Sequence, residues 1–393
     1  MSRGARSLGL LPRPLPYQGR GGVGPEPASG PVDVIVAVYG AAAAFARCLD
    51  SVIARTDLAR HRLVVVLDGP NQRDAQDGLA RVGAALGDHL LVLENPRRRG
   101  FVASVNRGMA SSRRDVVLLN SDTVVTESWL DKLQAAAYSA ADIATATPFS
   151  NDATICSLPR FLEANAIPSG HDVDSFARLI EGCAIPEYPR IPTGVGVCLY
   201  IKRRALDTVG AFDEAAFGLG YGEESDFCMR ALAAGFVHVL DDATFIYHAG
   251  QGSFGPERER RVRAAERRMR RRHPAYRATI GAFVRDDPLR DVRERIVRTL
   301  GPSRDPSTTP SLRVLHVVHG WPPFNHAGTE TYARELALRQ QGRRPVVVYA
   351  RVADSGRNLG DAIELLDHGV RVRLVVNNFT QRNPLSRNAL RSA

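Results

Sequence analysis

Short apolar runs alternate with amphipathic segments in the first part of the chain. The runs lie at residues 32–38, 63–67, 90–93 and 116–119. Between the first two, Phe45, Cys48, Leu49 and Val52 recur at the spacing of one helix face, within a segment from 41 to 54. Strands that alternate with helices in this way are typical of βαβ units. The sequence therefore predicts an α/β fold with a mostly parallel central sheet and flanking helices over residues 73–86 and 102–110 as well.

Beyond residue 125 the pattern is less regular. It predicts helices over 129–138 and 227–234 and strands over 143–147, 194–201, 237–240 and 244–248, with an irregular Pro-rich region in between. The segment 257–273 holds nine arginines against three glutamates. Residues 256–300 are predicted to form a basic helical extension, and its arginine-rich segment is either a solvated helix or a contact with anionic lipid headgroups.

The two ends of the chain differ from this central part. Residues 1–31 are rich in Gly, Pro and Arg and are predicted to be a disordered tail without a secretory signal. A linker is predicted at 301–311 from its Pro, Ser and Thr content. After it, strands at 313–318, 345–349 and 370–376 and a helix at 331–340 predict a further βα unit over residues 312–393.

Composition excludes some classes of protein. The five cysteines are widely spaced without a CxxC pair, which indicates neither a zinc site nor a disulfide framework and suits a reducing cytoplasm. No apolar run approaches the ~18–20 residues of a membrane span. The net charge of +10 reflects an arginine-rich composition, or else attraction to an anionic partner such as a nucleotide or a membrane surface.

Polar side chains follow three of the first four predicted strands. They are Asp68, Asn95 and Asp122. Open α/β sheets bind ligands at the carboxyl ends of their strands, so these side chains are candidates for nucleotide binding. Asp122 can supply one oxygen ligand to a hard cation such as Mg²⁺ or Mn²⁺. Asn120 is neutral and could bind a water molecule or a sugar hydroxyl.

A second acidic cluster lies at Glu223, Glu224 and Asp226. Carboxylates at this position either stabilise the N-terminus of a helix or include a general base. His248 follows a predicted strand, and its imidazole is either structural or a metal ligand.

These residues stand in motifs that together resemble the family 2 glycosyltransferases with a GT-A fold, especially rhamnosyl- or O-antigen-type members. The motifs occur in order between residues 32 and 255: VDVIVAVYG, LDG, ENPRRRGFVASVNRGM, VVLLNSDT, TPFSNDATI, GVGVCLYIKRRALDTVGAFDE, GYGEESDFCMRA and FIYHAGQGSFG.

The resemblance implies a donor site. Asp68 would hydrogen-bond the donor base beside Ala37 and Tyr39. The other residues that would line the nucleotide-sugar pocket are Asn95, Arg99, Asn106 and Asn120.

The resemblance also implies the catalytic groups. Asp122 matches the last carboxylate of a metal-binding DxD motif, and His248 matches a histidine that completes the metal site. Glu224 matches the catalytic base of inverting members, with Asp226 and Glu223 at the acceptor. Two positions depart from the family pattern, because Asn120 replaces the first aspartate of the DxD motif and Glu224 replaces the commoner aspartate base.

From about Leu312 the chain resembles the start of a family 4 glycosyltransferase with a GT-B fold, through RVLHVVHGWPPFNHAGTETYARELA. Only part of the N-terminal, Rossmann-like half is matched, so this segment is interpreted as a truncated second enzyme or an appendage.

Together these features predict an inverting, metal-dependent glycosyltransferase. It would move a sugar from a nucleotide-diphosphate donor to a saccharide or lipid-linked saccharide acceptor, in cell-surface polysaccharide or O-antigen synthesis. The predicted location is the cytoplasm, with the inner face of the membrane as an alternative, and no nucleic-acid partner is expected. The alternatives are a nucleotidyltransferase and a non-catalytic protein that binds a membrane or another anion.

Overall fold

The computed structural model describes residues 30–70, 72–250, 256–301, 314–322, 324, 328–341, 346–354, 356–357, 361–368 and 370–377. The predicted disordered tail and the predicted linker lie almost wholly outside these residues. The chain divides into two compact units, Met1–Ser303 and Arg304–Ala393.

The first unit contains a nine-stranded sheet. Its strands are Val32–Val38 (β1), Arg62–Asp68 (β2), Leu90–Asn95 (β3), Asp115–Asn120 (β4), Thr123–Val124 (β5), Ile143–Ser150 (β6), Arg190–Ile191 (β7), Cys198–Ile201 (β8) and Val237–His248 (β9). Their order is β3-β2-β1-β4-β8-β6-β9-β5, with β7 paired to β9. All strands except β5, β7 and β8 run in the same direction. The predicted α/β fold with a mostly parallel sheet is confirmed.

Eleven α-helices accompany this sheet in the described residues. They are Ala42–Arg55 (α1), Arg73–Leu86 (α2), Phe101–Ala110 (α3), Trp129–Tyr138 (α4), Val173–Cys183 (α5), Arg203–Val209 (α6), Glu214–Phe217 (α7), Glu223–Ala233 (α8), Pro256–Arg272 (α9), Tyr276–Asp286 (α10) and Arg290–Leu300 (α11).

Alternation along β1 explains why both faces of the sheet are covered. Val34 and Val36 pack in one apolar cluster with side chains of α1 and α4, whereas Ile35 packs in a second cluster with side chains of α3 and α8. All three β1 side chains are buried. Successive side chains of a strand point to opposite faces, so an unbroken apolar run such as this one requires helices on both sides.

The basic helical extension is part of the first unit. Phe283 and Ile296, from α10 and α11, are buried in a third apolar cluster together with Phe149 and Phe245 of the sheet. Met269 of α9 is buried in the second cluster. The arginine-rich sequence of the extension does not indicate these contacts, because only a few apolar side chains in each helix form them.

Three predictions differ from the structure more than the others do. The strand predicted at 194–201 begins only at Cys198, and the helix predicted at 227–234 already begins at Glu223. The runs 237–240 and 244–248 form one strand, β9, although Asp241 interrupts the apolar pattern. Asp241 is buried and accepts a hydrogen bond from the Ala243 amide within a bulged part of this strand, which satisfies part of its polar character.

The second unit contains a four-stranded sheet and one described helix. Its elements are Val314–Val318 (β10), Gly328–Gln341 (α12), Val346–Val352 (β11), Ala362–Asp367 (β12) and Val370–Val376 (β13). Strands β10, β11 and β13 correspond to the three predicted strands and run parallel, and β12 is an additional antiparallel partner of β13. The resemblance of this unit to a GT-B half stays a prediction. Among all described helices of the chain, none is long and apolar enough to cross a membrane.

Candidate active site

A cavity of about 380 Å³ lies at the carboxyl ends of strands β1, β2 and β4. Ala37 and Asn120 line it from β1 and β4, where they are paired in register. Tyr39 lines it with a side chain that is 53% exposed, and the Arg98 guanidinium stacks 3.9 Å from the centre of the Tyr39 ring. Three of the predicted donor-binding residues, Ala37, Tyr39 and Asn120, therefore lie in one cavity.

Asp68 lines the same cavity but is already held by the chain. Its Oδ1 accepts hydrogen bonds from the Asn95 side-chain amide (2.9 Å) and the Arg99 backbone amide (2.7 Å). Its Oδ2 accepts one from the Gly100 amide (2.8 Å). The carboxylate thus fixes the loop that presents Arg98 to the cavity and leads into α3.

Three other predicted donor-binding residues, Asn95, Arg99 and Asn106, do not line the cavity. Both amide hydrogens of Asn95 are used, on Asp68 and on Ser104. Arg99 forms an exposed ion pair with Glu214. Asn106 binds the backbone of Phe212 through both ends of its amide. The geometry gives these side chains a different role from the expected one, because each holds a neighbouring segment in place.

Glu223 and Glu224 occupy the first turn of α8 and both line the cavity. Glu224 is partly buried and lies close to Gly196, where even a methyl group would come within 3.8 Å of its carboxyl carbon. Burial raises the pKa of Glu224 above its ordinary value, although backbone amides of the helix start oppose this shift. A partly accessible carboxyl group in a cavity wall, with a raised pKa, suits a general base.

Asp226 faces other partners than the cavity. It is fully buried and accepts hydrogen bonds from Arg230 Nε (2.8 Å), Arg272 Nε (3.0 Å) and His273 Nε2 (2.8 Å). Burial alone would raise its pKa, but the bonds from His273 and Arg230 and the arginine charges outweigh burial and lower it. Asp226, which was expected at the acceptor, instead ties α9 to the helix that carries Glu224.

Asp122 and His248 are brought together by pairing between β5 and β9, in which Thr123 lies opposite His248. His248 Nε2 is 3.3 Å from Asp122 Oδ1, and both side chains are 15% exposed. Burial would lower the pKa of His248, but the hydrogen bond and charge of Asp122 raise it. Asp122 follows Asn120 closely in sequence, but neither Asp122 nor His248 lines the cavity.

An oxygen and an imidazole nitrogen at this distance fit two ligands of a divalent cation. Among the described residues no cluster of three His, Cys, Asp or Glu side chains is placed to hold a metal. A cation bound by this pair alone would take its remaining ligands from water or phosphate groups, as Mg²⁺ commonly does.

Several residues of the cavity wall were missed by the sequence reasoning. They are Arg98, Gly100, Phe101, Ser104, Val195, Val197, Leu219, Tyr221 and Arg261. Small residues at 194 and 196 were the one usable indication for the 195–197 segment. Tyr221 adopts a left-handed backbone (φ 73°), which is uncommon for a side chain of this size and is concentrated at functional sites.

Residues 33–210 match the family model described as Glycosyl transferase family 2. The chain therefore contains a glycosyltransferase domain, and the predicted family 2 resemblance is confirmed for this part. Its rhamnosyl or O-antigen character is a finer statement that the match does not reach.

Other similarities are more distant. A protein of Sinorhizobium fredii (strain NBRC 101917 / NGR234), described as uncharacterized protein y4gI, is 23% identical over 297 residues. The match covers 72% of the present chain and 32% of that protein, so the chain spans about a third of its length. Two solved structures are similar at low identity. One is GalNAc-T7 with UDP, GalNAc and Mn²⁺ (18% identity, TM-score 0.45, 60% of this chain and 48% of that chain). The other is the mannosyltransferase PcManGT from Pyrobaculum calidifontis with GDP-Man and Mn²⁺ (16% identity, TM-score 0.42, 70% and 88%).

Proposed function

We propose that the protein transfers a sugar from a nucleoside-diphosphate donor to a hydroxyl group of an acceptor, with inversion at the anomeric carbon. The observation that carries this proposal is the position of Glu224 in the wall of the cavity that Tyr39, Asp68 and Asn120 also line. A planar aromatic ring and hydrogen-bonding side chains suit a nucleotide, and a carboxylate in the same wall suits a base.

In the proposed reaction Glu224 takes the proton of the acceptor hydroxyl. The hydroxyl oxygen then bonds to the anomeric carbon while the bond from that carbon to the diphosphate oxygen breaks. The electron pair of the broken bond leaves with the nucleoside diphosphate. Attack from the face opposite to the leaving group inverts the anomeric configuration, and no covalent enzyme intermediate is required.

Asp122 and His248 would hold a divalent cation, Mg²⁺ or Mn²⁺. When bound, such a cation would neutralise negative charge that builds up on the leaving diphosphate. Asn120 carries no charge and would contribute a hydrogen bond to the donor from the end of β4, in the position where a second carboxylate would strengthen cation binding.

The acceptor and the cellular setting form the finer part of the proposal. The resemblance to O-antigen-type enzymes favours a saccharide or lipid-linked saccharide acceptor and a role in cell-surface polysaccharide synthesis. The exposed arginines of α9, including Arg267, Arg268 and Arg271, favour a peripheral contact with an anionic membrane at its cytoplasmic face. Co-sedimentation with vesicles that contain or lack anionic lipid tests this contact. An equal fraction of bound protein with the two kinds of vesicle would exclude it.

The donor is identified by a thermal-shift screen. Nucleotide-sugars are compared with the matching nucleoside monophosphates in the presence of Mn²⁺, because a ligand that binds only the folded protein raises its unfolding temperature. We expect one donor to stabilise the protein and then to release its nucleoside diphosphate when an acceptor is added. NMR of the product gives the anomeric configuration, which we expect to be opposite to that of the donor. Retention of configuration, or no binding of any nucleotide-sugar, would contradict the proposal.

A further inference from the structure

Glu223 is a buried carboxyl group with an oxygen that no partner satisfies. Its side chain is 4% exposed, and its Oε2 receives no hydrogen bond from the described residues. It precedes Glu224 directly in the first turn of α8, and the two carboxyl groups lie close enough to share a hydrogen bond when one of them is protonated. Both also line the cavity. This arrangement raises the question of how two adjacent carboxyl groups share their charge.

Two carboxylates in one buried place repel each other, so one of them retains a proton. Burial, and next the charge of Glu224, raise the pKa of Glu223 well above its ordinary value. Glu224 differs because backbone amides at the start of α8 stabilise its negative charge against burial. The buried Oε2 of Glu223, which has no hydrogen-bond partner, is consistent with a neutral Glu223 and an ionised Glu224. Burying an unpaired oxygen of a neutral carboxyl group costs less free energy than burying an unpaired oxygen of a carboxylate.

Other charged and titratable groups near the pair come from several elements. Arg261 of α9 and Tyr221, which precedes α8, line the same cavity. Cys228 of α8 interacts electrostatically with Glu224. Tyr276 of α10 reaches Ser225, and burial raises its pKa. Cys228 and Tyr276 are both neutral at physiological pH because burial raises their pKa values, so neither adds charge beside Glu224. Arg261 is the positively charged one of these four groups.

We propose that Glu223 holds the single proton of this carboxyl pair at neutral pH and donates it in a hydrogen bond to Glu224, which keeps Glu224 ionised and oriented. Glu223 is then a positioning residue that acts through Glu224. This inference rests on the proposed function for its catalytic meaning, but the state of protonation itself can be measured without any turnover.

Infrared spectroscopy measures that state directly. Wild type at neutral pH is expected to show a stronger carbonyl absorption of protonated carboxylic acid than Glu223→Gln, and the difference is the part that Glu223 contributes. Glu127→Gln, which changes an exposed glutamate, serves as the matched control and keeps the absorption. Asp241, whose pKa burial raises to about 6, contributes equally to all three proteins and cancels in the difference. An unchanged absorption in Glu223→Gln would overturn the proposal.

The pH dependence of kcat separates positioning from a purely structural role. In wild type we expect kcat to rise as Glu224 ionises and to fall at higher pH as Glu223 loses its proton. Glu223→Gln donates a hydrogen bond but cannot titrate, so the rise remains and the fall disappears. Glu223→Ala loses the donor, so the rise moves to higher pH and kcat falls roughly tenfold, the effect of one hydrogen bond to a charged group.

A fall at high pH that persists in Glu223→Gln would contradict the proposal. If Glu223→Ala does not fold, Glu223→Gln and its infrared difference decide the matter alone. If no sugar nucleotide is turned over by wild type, the proposed function fails while the infrared result still stands for or against the shared proton.

Discussion

The link from Asp226 to helix α9 and to His273, which follows that helix, predicts a large stability loss in Asp226→Asn. The substitution keeps the shape of the side chain but removes the charge that Arg230, Arg272 and His273 bind. Breaking a buried ion pair costs roughly 3–5 kcal/mol. The side chains of Arg230 and Arg272 are 23% and 39% exposed, and each keeps other partners, which reduces the loss. We therefore expect about 3 kcal/mol at neutral pH.

The assay is urea unfolding followed by tryptophan fluorescence. The chain has two tryptophans, one in each unit, so a Trp321→Phe background leaves buried Trp129 as the reporter of the first unit. The control is Asp131→Asn, because the exposed ion pair between Asp131 and Arg60 contributes at most about 1 kcal/mol.

The pH dependence supplies a second check on the same carboxylate. Its pKa is lower in the folded protein than the ordinary value of 3.8. The contribution of the charge to stability is therefore complete above that ordinary value and disappears as pH falls through the folded pKa. The difference in the free energy of unfolding between wild type and Asp226→Asn should therefore decrease only at acidic pH. A loss at neutral pH no larger than that of Asp131→Asn would refute the reasoning.

Three further predictions concern the cavity and the cation pair. Gly100→Ala should destabilise the first unit by roughly 3 kcal/mol in the same unfolding assay. At this position φ is +93°, and an added Cβ atom would lie 2.9 Å from the Leu219 Cα. A loss under about 1 kcal/mol would contradict this packing. Asp122→Asn should weaken Mn²⁺ binding, measured by calorimetry, roughly tenfold or more. The control is Asp152→Asn, which should weaken it less, because the Asp152 carboxylate is 3.9 Å from His248. Equal effects of the two substitutions would contradict the assignment of Asp122 as a cation ligand. The rate of transfer should rise with pH through a value above 4.5, the ordinary pKa of a glutamate, because burial raises the pKa of Glu224. A rate that no longer rises above pH 4.5 would contradict a glutamate base with a raised pKa.

The regular part of the fold was accessible from the sequence because its apolar runs are unbroken. Strands β1 to β4 and the helices between them follow the predicted ranges within one or two residues. Helices α10 and α11 lie within the helical extension predicted at 256–300, but the sequence did not separate them or indicate what they pack against, because their buried residues, such as Phe283 and Ile296, are sparse among arginines. Strand β12 was missed as well, since none of its positions is fully buried: exposed and half-buried positions alternate along it.

The candidate site was predictable only in part, and the reason is physical. Asn95 and Asn120 both end a strand, and Asn106 lies in the helix that follows Asn95. Asn95 and Asn106 nevertheless bind other parts of the chain, whereas Asn120 lines the cavity. Residue type and spacing do not distinguish a side chain that hydrogen-bonds within the protein from one that faces a ligand. Arg98 and Arg261 enter the cavity from a loop and a distant helix, which only the tertiary structure reveals.

The central claim is that Glu224 acts as the base in sugar transfer. It is tested most directly by the initial rate of transfer in Glu224→Gln, at saturating donor and Mn²⁺, beside Glu127→Gln as the control. Loss of a general base typically lowers the rate by roughly 10²–10⁴-fold. We expect a loss of that size in Glu224→Gln with an unchanged thermal shift by the donor, and a wild-type rate in Glu127→Gln. Transfer by Glu224→Gln within about threefold of the wild-type rate would contradict the assignment, since that corresponds to less than about 1 kcal/mol of lost transition-state stabilisation.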